Sequence, residues 1–271
     1  MARVGYFLEA EKKTKLDRYR VRMSAVEVLR TMKQTHTYED LSALTGLPVA
    51  VLSRYVNGHV FPSVSRASKL IKIFKEDFLV EAVKERICFT QRQVFDQTRL
   101  LSDVALLGLI AKVALEEFGG EGITKVLTKE TAGIPLATLA GKELGADLLI
   151  AIEQKEMAVN EFIEVERAFS DGTYTYLYLP KGLMGEKDNV LIVDDCIRTG
   201  SAVRAMAEMC KVTGAKLKGV FVVAGIGDTP ARVGGELKRW FPPRCPVKSL
   251  VRFWPPPRTG KISLAKERSA G

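Results

Sequence analysis

The sequence has 271 residues, of which 46% are hydrophobic, enough for two globular domains with sizeable cores. It contains no apolar run of about 20 residues and its N-terminus is charged, so we expect a cytoplasmic protein without a membrane segment or export signal. The chain has only two histidines, which argues against histidine catalysis in its second half. The cysteines are scattered, which argues against a zinc site and a disulfide framework. They are Cys88, Cys196, Cys210 and Cys245.

The net charge of +9 is concentrated at the N-terminal end of the chain. Residues 1–75 contain 14 Lys and Arg against 6 Asp and Glu, whereas the remainder contains 27 against 26. A basic small domain beside a nearly neutral larger one is typical of nucleic-acid binding, although a solvated basic face gives the same count. We place the first domain at residues 1–76 and the second, beginning with a helical connector up to about residue 95, at 77–271.

The N-terminal segment predicts helices over residues 16–32, 38–45, 49–56 and 65–74. Acidic residues in its first turn and Gly46 after its end define the second helix, and Pro48 belongs to the first turn of the third. Basic side chains of the first and fourth helices are candidates for phosphate contacts. The apolar residues that would form a shared core of the second and third helices are Leu41, Leu44, Leu47, Leu52 and Tyr55.

Two short helices joined by a glycine turn make a helix-turn-helix, whose second helix enters the major groove of DNA. The amino-acid sequence of these two helices resembles the repressor family of helix-turn-helix domains. By that resemblance the DNA contacts fall on Pro48, Val49, Ala50, Ser53 and Arg54. Ser53 would contact a phosphate, Val49 and Ala50 thymine methyl groups, and Arg54 a guanine or a phosphate. The alternative is a plain helical hairpin used for dimerisation or as a lid.

From about residue 96 the predicted elements alternate between helices and strands. Helices are predicted over 102–118, 135–144 and 202–213, and strands over 123–128, 147–152, 173–179, 190–193, 217–223 and 247–253. This alternation indicates an α/β fold, a parallel sheet flanked by helices, preceded by the small all-α domain. At its end, Phe253 and Trp254 either stack on a ligand or belong to the core.

A short loop follows the first of these strands and opens a helix. Its backbone amides can cradle an anion, because a helix N-terminus carries a partial positive charge and a glycine permits close approach. The loop consists of Glu130, Thr131, Ala132 and Gly133. The alternative is an ordinary loop capped by Thr131 or Gly133.

The run from Val190 to Ser201 carries the most chemical information. Four apolar residues predict a buried strand that delivers Asp194 and Asp195 at its carboxyl end, where ligands bind in α/β sheets. Paired carboxylates there can accept hydrogen bonds from the vicinal hydroxyls of a ribose. The following turn offers hydroxyl groups and a glycine ahead of a helix, which suits a monophosphate.

This run resembles the signature of the type I phosphoribosyltransferases for 5-phosphoribosyl 1-diphosphate (PRPP): a hydrophobic run, two acids, three variable residues and Thr-Gly. The resemblance implies that Asp194 and Asp195 hold the ribose hydroxyls, directly or through a divalent cation. It also implies that residues 130–133 form the pyrophosphate loop, whose sequence is similar to that of orotate phosphoribosyltransferases. The 5-phosphate would lie on Ile197, Arg198, Thr199, Gly200 and Ser201.

The sequence departs from those enzymes at their catalytic cations. Ala132 stands where a lysine precedes the loop glycine, and Ala158 and Asn160 stand where the mobile loop carries Lys and His. Lys155 is present, but acidic residues surround it. Because losing one transition-state donor lowers the rate by about 10²–10³-fold, we expect a binder without useful turnover, with no catalytic residue or resident metal site assigned.

Such a fold joined to a DNA-binding domain resembles the bacterial purine operon repressor and, more closely, archaeal orotate phosphoribosyltransferase-like transcriptional regulators. We therefore expect a homodimeric regulator that binds a palindromic operator in double-stranded DNA. Its effector would be PRPP, with or without Mg²⁺, or a nucleotide. The alternative is an active purine or pyrimidine phosphoribosyltransferase with an N-terminal oligomerisation domain.

Overall fold

The computed structural model describes residues 14–89, 95–169, 172–243 and 245–254, which divide into two compact units near residue 109. The structure groups residues 77–89 and 95–109 with the N-terminal helices, whereas the predicted boundary at residue 76 assigned them to the following domain. The extent of the DNA-binding module itself stays a prediction. Among the described residues, no helix is both long enough and apolar enough to cross a membrane.

The N-terminal unit is built mainly of helices. Its elements are α1 Lys15–Lys33, α2 Tyr38–Thr45, α3 Val49–Val56, α4 Val64–Ile73, a π-helical turn Phe74–Phe78, α5 Leu79–Glu85, β1 Cys88–Phe89, β2 Phe95–Asp96 and α6 Thr98–Ser102. Helices α2 and α3 have the predicted bounds. The predicted helical connector is wrong beyond Glu85, because the chain there becomes extended and β1 pairs antiparallel with β2.

Local signals explain how α2 begins and ends and where α3 begins. Thr37 and Asp40 form a capping box at the start of α2, each side chain bonding the other residue's backbone N–H. Gly46 ends α2 in the left-handed conformation, with φ at 69°. Pro48 is the N-cap of α3 rather than a residue of its first turn.

The core of the two-helix motif is smaller than predicted. Leu41, Leu52 and Tyr55 are buried, but Leu44 is 43% exposed and Leu47 only half-buried. Thr45 takes the inward position one turn after Leu41 and donates its hydroxyl to the Leu41 carbonyl at 2.6 Å. Leu44 consequently lies on the outer side of α2.

Arginines on α1 and α4 are hydrogen-bonded to oxygen atoms around α3. Arg22 donates to the Pro62 carbonyl at 2.8 Å, and Arg30 donates to the Val56 carbonyl at 2.8 Å. Arg66 donates to the Tyr55 hydroxyl at 3.2 Å. These guanidinium groups fix α1 and α4 to the segments around α3, so part of the basic charge has a structural role.

The second unit contains a five-stranded parallel sheet in the order β4-β3-β7-β8-β9. Its elements, including α7, which crosses the unit boundary, are α7 Val104–Phe118, β3 Lys125–Lys129, α8 Ile134–Leu144, β4 Asp147–Ala151, β5 Phe162–Ala168, β6 Tyr174–Pro180, β7 Asn189–Ile197, α9 Ser201–Thr213, β8 Lys216–Ile226, α10 Thr229–Trp240 and β9 Val247–Phe253. The α/β class is confirmed. Strand β7 is central and buried along most of its length, so its carboxyl end opens between β3 and β8.

One predicted strand does not join this sheet. Strand β6 pairs antiparallel with β5 to form a separate hairpin, which packs against α9 and β4. Alternate β5 residues Ile163 and Val165 are buried, as expected for a sheet with one covered face. Neither β5 nor α10 was predicted from the sequence.

Candidate functional site

The exposed side of α3 carries the residues predicted to contact DNA. Pro48, Val49, Ala50 and Arg54 are exposed, and Ser53 is half-buried with its hydroxyl accepting from Asn57 at 3.3 Å. The opposite side of α3 supplies the buried Leu52 and Tyr55. The helix therefore presents the five predicted contact residues away from its own core, in the arrangement a recognition helix requires.

The predicted ribose-binding acids lie within β7 rather than after it, because the strand continues to Ile197. Asp194 and Asp195 are both buried, and the Asp195 backbone N–H donates to Asp194 Oδ1 at 3.0 Å. Burial, followed by the neighbouring Asp195 carboxylate, raises the pKa of Asp194 well above its ordinary value. Two carboxylates held together without full solvation are set to receive hydroxyl donors or a cation.

The predicted 5-phosphate loop is shorter than expected. Ile197 is the last strand residue and is buried, and Ser201 is the first residue of α9, which was predicted to begin at residue 202. Arg198 and Thr199 are exposed, and Gly200 has a φ of 82° at the N-cap position. The Ser201 N–H donates to Thr199 Oγ1 at 3.3 Å. Hydroxyls and backbone thus converge on the N-terminus of α9.

The predicted pyrophosphate loop lies directly against Asp194. A Cβ atom placed on Gly133 would be 2.4 Å from Asp194 Oδ1 and 2.2 Å from Thr128 Oγ1, closer than atoms in contact can approach. The Glu130-Thr131 peptide in this loop is cis, and the Glu130 N–H donates to the Ala151 carbonyl at 3.0 Å. The fold therefore brings together the two segments that the sequence pattern assigned to the two ends of PRPP.

A group of ionic residues beside these loops was not predicted from the sequence. Glu153 Oε1 lies 2.9 Å from Lys129 Nζ and 3.1 Å from Arg167 Nη1. Arg167 Nε also donates to Ser201 Oγ at 3.1 Å. The hydrogen bond from Lys129 is the largest effect that lowers the pKa of Glu153. The alternation of apolar residues in β5 was the signal that could have placed Arg167 near the pocket.

Comparison with known proteins assigns both units. Residues 27–79 match a family model described as helix-turn-helix. The chain is 30% identical over 140 residues to the xanthine phosphoribosyltransferase of Ruminiclostridium cellulolyticum, covering 51% of this chain and 72% of that protein. The chain belongs to the type I phosphoribosyltransferase family. A helix-turn-helix domain is thus fused to a phosphoribosyltransferase domain.

Other relatives agree with this assignment. The xanthine phosphoribosyltransferase of Ectopseudomonas mendocina is 29% identical over 123 residues, which cover 45% of this chain and 65%, slightly under two thirds, of that protein. Adenine phosphoribosyltransferase from Rhodothermus marinus superposes with a TM-score of 0.55 at 22% identity, covering 64% of this chain and 98% of that one. The Giardia lamblia enzyme gives 0.56 at 21% identity, with coverage of 64% and 97%. These structures establish the phosphoribosyltransferase fold.

In this phosphoribosyltransferase domain, Lys155 already has partners. Its ammonium group is hydrogen-bonded to Glu164 and lies 5.0 Å from the centre of the Tyr178 ring. The neighbouring Ala158 and Asn160 carry no positive charge.

At the far end of the domain Phe253 is buried, which favours its role as a core residue over a stacking role. The sequence from Arg258 to Arg268 predicts a flexible basic end of the chain, and it lies outside the described residues.

Proposed function

We propose that this protein is a DNA-binding transcriptional regulator whose phosphoribosyltransferase domain binds PRPP or a related phosphoribosyl compound without useful turnover. The observation that carries the proposal is the presence in one chain of a helix-turn-helix domain and a pocket in which Gly133 lies against the buried Asp194. Effector binding would shift the protein between two states that differ in their affinity for DNA. The size of the shift is limited by the difference in the effector's own affinity for the two states.

The effector would bind across the two loops of the pocket. Asp194 and Asp195 would accept hydrogen bonds from the ribose hydroxyls, while the residues from 197 to 201 and from 130 to 133 would hold the phosphate groups. The two carboxylates are hard oxygen ligands that suit Mg²⁺, which typically binds one or two protein carboxylates together with substrate phosphates. Among the described residues, no group of three or more His, Cys, Asp or Glu could hold a metal ion, so the cation would depend on ligand phosphates.

The proposed lack of turnover is supported by the shortage, within the part of the chain that the structure describes, of free cations where the leaving pyrophosphate would lie. Lys155 is bonded to Glu164, and Ala132 stands immediately before Gly133 in the loop. Catalysis by electrostatic stabilisation requires donors that are placed in advance where charge develops. We propose further that the protein is an archaeal orotate phosphoribosyltransferase-like regulator, a homodimer with two recognition helices on a palindromic operator.

We expect Arg54→Ala to weaken binding to DNA from the region upstream of the chain's own gene by about 5- to 100-fold, because one base or phosphate contact is lost. Gel shifts over a range of salt concentrations measure this effect. Lys187→Ala removes the same charge from an exposed position in the second unit and should leave the affinity unchanged. Equal affinity of wild type and Arg54→Ala, or binding without salt dependence, would contradict the DNA-binding role of α3.

An active phosphoribosyltransferase is the second candidate, and the names of the relatives favour it. Both xanthine phosphoribosyltransferases match about half of this chain. A pyrophosphate-release assay with PRPP and xanthine, guanine, hypoxanthine, adenine or orotate separates the candidates. Turnover at ordinary enzyme rates without DNA affinity would establish the enzyme, whereas DNA affinity that responds to PRPP without turnover supports the regulator.

A further inference from the structure

Two cations converge on one carboxylate at the edge of the pocket. Lys129 is the last residue of β3, directly before the loop at 130–133, and its Nζ lies 2.9 Å from Glu153 Oε1. Arg167 belongs to β5, and its Nη1 lies 3.1 Å from the same oxygen while its Nε donates to Ser201. The group formed by Lys129, Glu153 and Arg167 therefore connects the two loops predicted to hold phosphates.

The three side chains differ in how firmly they are held. Those of Lys129 and Arg167 are only 18% and 17% exposed, and each has a second hydrogen-bond acceptor, the Glu130 carbonyl and the Ser201 hydroxyl respectively. The Glu153 side chain is 46% exposed, so it can turn into solvent at little electrostatic cost. The group consists of two fixed cations and one replaceable anion.

We propose that Arg167 is a further anion-binding residue of the pocket, and that Glu153 occupies the place of a ligand phosphate between Arg167 and Lys129 until a phosphate or pyrophosphate group displaces it. This inference rests on the proposed function. A phosphate oxygen can accept from both cations as the Glu153 oxygen does, and the phosphate brings more charge and more acceptors. Glu153 thereby selects against weakly charged ligands, which cannot displace it.

Displacement would also change how the hairpin is held. Glu153 follows β4 of the main sheet, whereas Arg167 lies in β5 of the hairpin, so their ion pair links the two sheets of this unit. A ligand phosphate that replaces Glu153 removes this direct link and substitutes its own contacts.

Glu153→Gln tests the inference, because it removes the competing charge and keeps the size of the side chain. We expect calorimetry to show that the affinity of the full-length protein for PRPP and for inorganic pyrophosphate rises about three- to tenfold. The reason is that the ligand no longer has to break two part-exposed ion pairs. Arg167→Gln should lower both affinities by about tenfold or more, and Arg167→Lys should restore part of the loss.

Glu161→Gln is the matched control. It removes the same charge from the loop before β5, where Glu161 pairs with Lys181 at 3.2 Å, and should leave both affinities within about twofold of wild type. Equal gains in the two glutamine variants would reveal a general charge effect and overturn the inference. Unchanged binding in Glu153→Gln and Arg167→Gln, with PRPP binding still weakened by Asp194→Asn, would also overturn it and leave the proposed function standing. If neither wild type nor Glu153→Gln binds PRPP, pyrophosphate or a nucleoside monophosphate, the proposed function itself fails.

Discussion

Asp194→Asn is expected to make the protein more stable and to weaken its binding of PRPP. Asp194 is buried beside Asp195, and burial followed by this neighbour raises the pKa of Asp194 well above its ordinary value of 3.8. At neutral pH the folded protein therefore either buries a charge at Asp194 or takes up a proton there, and both cost free energy, whereas asparagine is neutral and retains the oxygen that accepts the Asp195 N–H. We expect the free energy of unfolding in urea to rise by about 1–3 kcal/mol at neutral pH.

The pH dependence of that gain follows from proton binding. A carboxyl whose pKa is raised on folding binds its proton more tightly in the folded protein than in the unfolded chain. Wild-type stability therefore increases as the pH falls from above the raised pKa towards 3.8, and Asp194→Asn lacks this increase. The stability difference between the two proteins should shrink as the pH falls through this window, as urea unfolding at several pH values would show.

Ligand binding supplies the second measurement for this variant. The neutral side-chain amide of this variant forms a weaker hydrogen bond with a ribose hydroxyl than the Asp194 carboxylate does. Calorimetry should therefore show PRPP binding weakened by at least about tenfold. Asp228→Asn removes a charge from an exposed residue of the same unit, whose side chain makes no capping bond to α10, and serves as the control. A stabilised Asp194→Asn protein that binds PRPP as wild type does would remove Asp194 from the ribose site.

The parts of the fold that the sequence predicted depend on contacts between neighbouring residues. Helices α2 and α3 have the predicted bounds because Gly46 and Pro48, together with the capping acids, act within a few positions of each helix end. The pairing of a buried strand with two acids and Thr-Gly likewise lies in one short segment. These signals need no knowledge of the rest of the chain.

The parts that were missed depend on distant residues. Strand β5 carries Glu164, Glu166 and Arg167 among its apolar residues, and it becomes a strand only by pairing with β6. Glu153 and Arg167 are 14 positions apart, and their ion pair forms because the hairpin folds back beside β4. Leu44 was assigned to the core by its hydrophobicity, although Thr45 fills the inward position by satisfying its hydroxyl locally.

Gly133→Ala is expected to disrupt the pocket through the volume of one methyl group. Gly133 has helical backbone angles, φ −73° and ψ −22°, so alanine is compatible with the backbone itself. The new Cβ would nevertheless lie 2.2 Å from Thr128 Oγ1 and 2.4 Å from Asp194 Oδ1. The loop or the carboxylate must move, which should lower the free energy of unfolding by about 1–3 kcal/mol.

The same displacement should weaken PRPP binding by at least about tenfold, because the loop amides and Asp194 would no longer fit one ligand together. Gly235→Ala in α10 is the matched control, since its Cβ would meet no atom within 4 Å and alanine favours a helix. Urea unfolding and calorimetry should show the control at least as stable as wild type, with unchanged binding. Full PRPP affinity in Gly133→Ala would mean that the ligand does not bridge the loop and Asp194. The reason is that the loop and the Asp194 carboxylate lie too close together to admit the methyl group without moving apart.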